Sequence, residues 1–222
     1  MGGCVMGDYS LIHGDCLEKM KDIPDGTIDM VLTDIPYGVV NRNTNGLRNL
    51  DKGKADVETF SLHRFLPEID RVSRGSILIF CGKEQFSQIY RFFAPKNGCV
   101  RAIVWEKTNP SPMNGQHVYL SGVEFAVWFK KKGAIFNPFC KNTVFKFPCG
   151  RRKFHPTEKN QNLLRELILD NTSPGATVFD PCMGSGSTGV VCAETGRKFI
   201  GVELDLDYFE IAKNRVGAAY AT

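Results

Sequence analysis

A glycine-rich segment near the end of the chain has the residue types and the spacing of a nucleotide-binding loop. The run from Phe179 to Gly189, FDPCMGSGSTG, lies between a predicted strand and a predicted helix. Glycine has no Cβ and tolerates positive φ, so such a loop lets the backbone approach a ligand closely. Glu203 ends the next predicted strand, where an acid can hydrogen-bond ribose hydroxyls. The segment therefore predicts a site for a nucleoside-containing ligand, and a plain glycine-rich turn is the alternative.

The residues around this loop indicate which nucleoside would bind there. Asp180 lies at the carboxyl end of the predicted strand, where open α/β sheets bind their ligands. A carboxylate at that place suits a cationic ligand group better than a pyrophosphate. S-adenosylmethionine has that character, because it carries an ammonium group, a ribose and an adenine but no phosphate. A nicotinamide enzyme is the weaker alternative, since it would normally place this unit early in the chain.

A second candidate site is the tetrapeptide Asp34-Ile35-Pro36-Tyr37, which follows the buried predicted strand 28–32. Pro36 fixes its own φ and favours an extended Ile35, so the turn is stiff. It would present the Asp34 carboxylate, the Ile35 carbonyl and the Tyr37 ring together. Two acceptors and a ring suit an exocyclic amine on a flat base. An ordinary strand-to-loop turn, in which Asp34 caps and Tyr37 packs, is the alternative interpretation.

Strands and helices alternate along the chain and would position both motifs at the carboxyl edge of one sheet. The apolar runs predict strands over 11–13, 28–32, 76–80, 99–105, 123–129, 176–178 and 199–203. Helical spacing predicts helices over 16–23, 57–72, 83–94, 157–171 and 206–217. Continuous apolar strands alternating with helices indicate an α/β fold with a mostly parallel sheet and helices on both faces.

Composition limits the classes of protein that the chain can represent. Its 222 residues suit a single domain, and the net charge of +4 is compatible with nucleic-acid binding. The eight cysteines include no C-x-x-C pair, and no cluster of metal-ligand type is visible, so we expect no metal site. No apolar run approaches the length of a membrane span. We therefore expect a cytoplasmic protein with reduced thiols.

The order of the two motifs resembles that of the β-class exocyclic-amino DNA methyltransferases. In that family a catalytic D-P-P-Y comes first and a cofactor-binding F-x-G-x-G comes late. Residues 13–16 (HGDC) resemble the family's N-terminal adenine-contacting motif, and residues 155–159 (HPTEK) its H-P-T-x-K. Residues 197–203 (RKFIGVE) resemble its R-x-x-I-G-I-E. The resemblance implies a Rossmann-like S-adenosylmethionine-dependent methyltransferase fold with a circularly permuted motif order, in one domain over residues 1–222.

The resemblance also implies a reaction and a set of site residues. The reaction is methyl transfer from S-adenosylmethionine to adenine N6 in double-stranded DNA, at a specific site and after base flipping. Adenine is favoured because Asp opens the motif, whereas Ser usually accompanies cytosine N4 in this family. The catalytic residues would be Asp34, Ile35, Pro36 and Tyr37. The residues that would bind cofactor are Asp15, Cys16, Thr157, Lys159, Phe179, Asp180, Pro181, Gly184, Ser185, Gly186, Glu203 and Leu204.

Within the cofactor site the resemblance implies a division of roles. Asp15 would bind the adenine and Glu203 the ribose, while Asp180 and Lys159 would bind the methionine end. Each residue also has a local explanation. Asp15 could cap a helix over 16–23, Thr157 could cap the helix that follows it, and Lys159 could be a solvated lysine in the first turn.

DNA contacts would come from a target-recognition insert over residues 107–154. The candidate phosphate contacts are Lys107, Arg151, Arg152 and Lys153, to which the run 130–132 could add, although a lysine run is commonly a solvated face. The expected partners are double-stranded DNA, a second protomer and a restriction endonuclease, in a protein encoded by a bacterium or a phage. We expect no membrane association.

One position departs from the family pattern. Ile35 stands where the family has proline, and it offers an N–H that proline lacks. The carbonyl that the family uses for contact is retained, but the turn could lose rigidity. Three alternatives to an adenine-N6 DNA methyltransferase stay open. They are a cytosine-N4 DNA methyltransferase, an N-methyltransferase of RNA or protein, and a DNA-binding relative with weak activity because of Ile35.

Overall fold

A computed structural model describes residues 3–37, 60–112, 115–149 and 159–222. Within these ranges the strands are β1 Gly3–Met6, β2 Tyr9–His13, β3 Ile28–Asp34, β4 Ser73–Cys81, β5 Gly98–Lys107, β6 Val123–Lys131, β7 Val144–Phe147, β8 Thr177–Asp180 and β9 Lys198–Glu203. The helices are α1 Cys16–Lys19 with a 3₁₀ turn Met20–Asp22, α2 Leu62–Val72, α3 Lys83–Phe93, α4 Gln161–Asn171, α5 Ser187–Glu194 and α6 Leu206–Tyr220.

All of these strands belong to one sheet, in the order β1-β2-β9-β8-β3-β4-β6-β5-β7. The consecutive neighbours from β2 to β4 are parallel, and so are β5 and β7. The pairs β1–β2, β4–β6 and β6–β5 are antiparallel. The mostly parallel sheet predicted from the apolar runs is confirmed.

Helices cover both faces of the sheet, as predicted. On one face α4, α5 and α6 pack through residues such as Leu163, Val191 and Ala212. On the other face α1, α2 and α3 pack through residues such as Leu17, Phe65 and Ile89. The central strands are buried from both sides, which explains why their sequences are continuous apolar runs. No helix of the described residues is long and apolar enough to cross a membrane.

Two strands of the sheet lie inside the segment 107–154 that was expected to be a recognition insert. They are β6, which pairs with the central strand β4, and β7, which pairs with β5. The four-residue β7 carries too short a pattern to be seen in the sequence, and the same holds for β1. Described residues outside the sheet in this segment are therefore confined mainly to 108–122 and 132–143.

The strand directions bring the two motifs to one edge of the sheet. The parallel strands β3 and β8 end there at Asp34 and Asp180, and β9 ends there at Glu203. Since β6 runs antiparallel to β4, it begins at this edge, where Phe125 pairs with Cys81. Its other end, including Lys130, lies at the opposite edge. We call the edge with Asp34 the site edge.

Candidate active site

The tetrapeptide 34–37 leaves the sheet through a turn that two backbone contacts hold. The N–H of Ile35 donates to the carbonyl of Phe80 on β4 at 3.2 Å, so the ladder continues one residue past Asp34. The Ile35 side chain is 2% exposed and packs in the core. The side-chain amide of Gln85 donates to the carbonyl of Pro36 at 2.8 Å, while its oxygen accepts from the N–H of Gly82 at 3.0 Å. Strand β4 and the start of α3 therefore fix the turn.

The carboxylate of Asp34 accepts hydrogen bonds on both oxygens. The Tyr37 hydroxyl donates to Oδ1 at 2.7 Å, and the Lys159 ammonium donates to Oδ2 at 2.7 Å. Burial raises the pKa of the Tyr37 phenol well above its usual value, and the charges of Asp34 and Glu124 raise it further. Tyr37 is therefore a neutral hydrogen-bond donor to Asp34 at neutral pH.

Lys159 was expected, with Asp180, to bind the methionine end of the cofactor, and this contact stays a prediction. The structure places its ammonium between Asp34 and Glu124, at 2.7 and 2.9 Å. Its side chain is 8% exposed. Burial by itself would lower the pKa of Lys159, yet Asp34 and Glu124 together raise it above its usual value. Lys159 is thus a buried cation of the 34–37 motif.

Glu124 belongs to this site although it lies in none of the sequence motifs. It lies second in β6, and Lys107 contacts its other oxygen at 2.7 Å. Burial raises the pKa of Glu124, but Lys159 and Lys107 outweigh that effect and lower it. A signal was present, because Glu124 is the sole acid between Glu106 and Glu158 and interrupts an apolar run from Val123 to Phe129. Lys107, expected as a phosphate contact, is instead paired inside the site.

The glycine loop joins β8 to α5 with the backbone shape that its sequence predicts. Gly186 has a φ of +80°, and a Cβ there would meet a methyl group of Val216 at 2.8 Å. The N–H of Gly184 donates to Glu203 Oε2 at 2.8 Å, and the N–H of Asp205 donates to Oε1 at 2.9 Å. Glu203 therefore shapes the loop through its own hydrogen bonds. Burial raises its pKa.

Asp180 is enclosed by the loop rather than presented to a ligand. It is 4% exposed, and it accepts from the hydroxyl of Thr188 at 2.8 Å and from the N–H of Cys182 at 3.2 Å. Burial raises its pKa to about 7. The expected direct contact with the methionine end is thus not favoured by the geometry, which gives Asp180 the role of organising the loop.

Other expected cofactor residues divide into exposed and buried groups. The Phe179 side chain is fully buried in the core, and the Ser185 hydroxyl accepts from Arg215 at 2.7 Å, so both side chains are engaged within the protein. Pro181 and Cys16 are buried as well. Leu204, by contrast, is 54% exposed immediately after Glu203.

At the other side of Glu203, strand β2 brings in the motif of residues 13–16. The N–H of Gly14 donates to the carbonyl of Glu203 at 2.8 Å, and a ring nitrogen of His13 lies 3.0 Å from the carbonyl of Leu204. Asp15 is exposed and caps α1 by accepting from the N–H of Leu17 at 2.9 Å. Its local capping role is confirmed, and its contact with the adenine stays a prediction.

The hydrogen bonds of the loop decide which ligand charge suits it. The N–H groups of Cys182 and Gly184 donate to Asp180 and Glu203, and that of Gly186 donates to a loop carbonyl. These three N–H groups therefore already have acceptors within the protein and do not form a phosphate-binding site. The run 179–189 holds no lysine or arginine. The site fits a phosphate-free nucleoside with cationic character, such as S-adenosylmethionine.

Several expected site residues lie outside the described residues. These are Thr157, proposed for cofactor binding, and Arg151, Arg152 and Lys153, proposed for DNA binding. The lysine run that includes Lys130 lies at the edge opposite to Asp34, where Lys131 donates to the carbonyls of Asp70 and Ser73. No group of three or more metal-ligand side chains is found in the part of the chain that the structure describes.

Comparisons with known proteins give one consistent family. The N6/N4-type model described as DNA methylase matches residues 139–214. The Type II methyltransferase M.HinfI of Haemophilus influenzae is 29% identical over 254 aligned positions, which cover 93% of this chain and 68% of that protein. The Type II methyltransferase M2.LlaDCHI of Lactococcus lactis subsp. cremoris is 28% identical over 243 positions, covering 95% and 90%.

Solved structures agree with these relatives. The crystal structure of the M1.HpyAVI–SAM complex superposes with a TM-score of 0.73 at 28% identity, covering 93% of this chain and 99% of that one. In its motif order, its sheet and these comparisons, the chain is similar to the exocyclic-amino DNA methyltransferases.

Proposed function

We propose that this protein transfers a methyl group from S-adenosylmethionine to the N6 amine of adenine in double-stranded DNA, at a specific site and with the target base flipped out. The observation that carries the proposal is the Asp34 carboxylate, bonded to the Tyr37 hydroxyl at 2.7 Å, at the same sheet edge as the glycine loop. The family relationship supports the cofactor and the class of reaction. Asp as the first motif residue supports adenine.

S-adenosylmethionine, when bound, supplies a methyl group on a positively charged sulfur. Glu203 and Leu204 would hold its ribose and adenine from one side and Asp15 from the other. Asp180 and the glycines would hold the loop in its bound shape. Each carboxylate oxygen of Glu203 accepts one backbone N–H, which leaves a second lone pair for a ribose hydroxyl.

Asp34 is the residue that would act on the reacting amine. Its oxygens each accept one hydrogen bond and retain a lone pair, with which they would accept N–H groups of the base. The carboxylate would also stabilise the positive charge that develops on the amine nitrogen as it attacks. The carbonyl of Ile35 would accept the second N–H, and the Tyr37 ring would stack on the base. Orientation of the amine and stabilisation of its developing charge would then accelerate the transfer, with no covalent intermediate.

DNA would approach the site edge. The segment 108–122 joins β5 to β6 at this edge and exposes Tyr119 and Leu120 there. We propose this segment, with Arg151, Arg152 and Lys153, as the DNA contact. Because it is short, either the recognised sequence is brief or a second protomer helps to read the site. Sedimentation of the protein with and without DNA tests the dimer, and a monomer bound to one site would contradict it.

The test is transfer of radiolabelled methyl from S-adenosylmethionine to unmethylated duplex DNA, followed by digestion to nucleosides. The wild type is compared with Asp34→Ala. The control is Glu194→Ala, which removes a carboxylate at the far end of α5 that pairs with Arg165 at the surface. We expect label in N6-methyladenine with the wild type and the control, and none with Asp34→Ala. Label in N4-methylcytosine would overturn the choice of base, and absence of label with cofactor bound would overturn the activity.

A further inference from the structure

We propose that Glu124 is a positioning residue of the active site, which holds Lys159 against the Asp34 carboxylate, with Lys107 in turn holding Glu124. The proposal rests on the methyl-transfer function proposed above. It concerns side chains that are distant in sequence. Lys107 ends β5, Glu124 begins β6, Lys159 precedes α4 and Asp34 ends β3.

The four charges form one row with alternating sign. Lys107 Nζ lies 2.7 Å from Glu124 Oε1, Lys159 Nζ lies 2.9 Å from Glu124 Oε2, and the same ammonium lies 2.7 Å from Asp34 Oδ2. Each inner charge is thus flanked by two opposite charges. The row carries no net charge, so that it can be buried without a counter-ion from solvent.

Burial makes Lys159 depend on both of its carboxylates. Its side chain is 8% exposed, and its ammonium also lies 5.2 Å from the centre of the Phe80 ring and 5.7 Å from that of Tyr37. Burying an ammonium with so little water costs free energy unless the charge is paired with a carboxylate. If Glu124 loses its charge, Asp34 is the one carboxylate that still pairs with Lys159. Movement of the Lys159 ammonium toward solvent then becomes more favourable.

Movement of Lys159 would release the carboxylate on which the proposed reaction depends. Lys159 fixes Oδ2 and Tyr37 fixes Oδ1, so together they set the plane of the Asp34 carboxylate. With Lys159 displaced, Asp34 is held on one side only, and its remaining lone pairs no longer face a fixed direction. A misplacement of about 1 Å in such a group can cost about 100-fold in rate. Affinity for duplex DNA comes mainly from contacts with its backbone outside this row of charges, so KM for DNA would change little.

The experiment uses Glu124→Gln, which keeps the size of the side chain and removes its charge. We expect kcat to fall by about 10- to 100-fold while KM for DNA changes by less than about threefold. Glu124→Asp, which keeps the charge, should recover part of the loss. The matched control is Glu166→Gln on α4, which breaks the ion pair of Glu166 with Lys141 (2.7 Å). It should leave kcat and KM unchanged.

A second readout does not depend on activity. Acetylation of surface amines, followed by peptide mass spectrometry, should label Lys159 slowly in the wild type and several times faster in Glu124→Gln. Lys213 of α6, whose side chain is 46% exposed, serves as the internal reference in every sample. If Glu124→Gln fails to fold, Lys107→Met should show the same two effects to a smaller extent, because it loosens Glu124 rather than removing its charge.

The outcomes separate this proposal from the proposed function. A fall in kcat with faster labelling of Lys159 supports the positioning role. A rise in KM alone, or unchanged kcat and labelling, overturns it. If the wild type methylates no DNA, the proposed function fails, while the labelling of Lys159 still decides whether Glu124 holds it.

Discussion

The backbone N–H of Ile35 donates a hydrogen bond to the carbonyl of Phe80 across 3.2 Å, at the point where β3 leaves the sheet. The family's proline has no N–H and could not make this bond. The departure at position 35 therefore has a structural compensation: a ladder contact replaces the stiffness of the proline ring. The turn is therefore held at position 35 without a proline.

The bond predicts that Ile35→Pro destabilises the protein instead of improving it. The variant leaves the Phe80 carbonyl, which is buried, without its donor and should lower the free energy of unfolding by about 1–3 kcal/mol. Ile35→Val is the control, because it keeps the N–H and removes one methylene, at about 0.5–1.5 kcal/mol. Urea unfolding measures both. An Ile35→Pro protein that is as stable as the wild type and more active would show that the turn prefers proline.

Lys159 gives the second prediction, since its removal leaves two carboxylates facing each other. In Lys159→Met, Asp34 and Glu124 lose the cation between them, and breaking a buried ion pair costs about 3–5 kcal/mol. We expect a large loss of stability and a loss of methyl transfer greater than that of Glu124→Gln. Lys141→Met, which removes a partly exposed cation paired with Glu166 and Asp170, should cost much less. Thermal unfolding compares the two variants directly. Equal losses would mean that Lys159 is an ordinary ion-pair residue.

The sheet could be predicted from the sequence because its strands are apolar runs and its helices amphipathic. The strands β1 and β7 could not, since four residues show no period. The site edge also followed from the sequence, as Asp34, Asp180 and Glu203 each end a parallel strand.

What the sequence could not predict is which charges pair. Lys159 was expected beside Asp180 because both belong to motifs associated with the cofactor. The pairing depends on β6, which enters the sheet antiparallel to β4 and so carries Glu124 to the site edge. The direction of β6 depends on the topology of the whole sheet and cannot be predicted from the residues around Lys159. The enclosure of Asp180 by Thr188 likewise depends on how α5 packs.

Asp180 predicts a pH dependence of stability with a definite sign. Its pKa is about 7 in the folded protein, against an ordinary value of 3.8. Between these values the unfolded chain is ionised while the folded protein holds the proton. Stability contributed by this group is therefore present at low pH, falls as the pH rises from about 4 to about 7, and is constant above that.

Asp180→Asn removes this titration and serves as the reference. The free energy of unfolding of the wild type minus that of Asp180→Asn should decrease between pH 5 and pH 8, by about 1.4 kcal/mol for each pKa unit crossed. Urea unfolding of both proteins at the two pH values measures the difference. A difference that is constant or increases with pH would contradict a raised pKa for Asp180.

The last prediction separates backbone strain from close packing in the cofactor loop. Gly186 and Gly133 have nearly the same positive φ, +80° and +82°. Around Gly133 a Cβ would meet nothing within 4 Å, whereas at Gly186 it would meet Val216 at 2.8 Å and the Cα of Ala212 at 3.2 Å. The two substitutions therefore share the strain but differ in the clash.

Gly133→Ala should cost about 1–2 kcal/mol from the left-handed conformation alone. Gly186→Ala should cost a further 1–3 kcal/mol or so, because α6 must move away from the loop. Since that movement also shifts the loop that ends at Gly186, affinity for S-adenosylmethionine, measured by calorimetry, should fall only in Gly186→Ala. Equal losses of stability in the two variants, or unchanged affinity in Gly186→Ala, would mean that the loop tolerates a side chain at this position and that its glycine is not needed for cofactor binding.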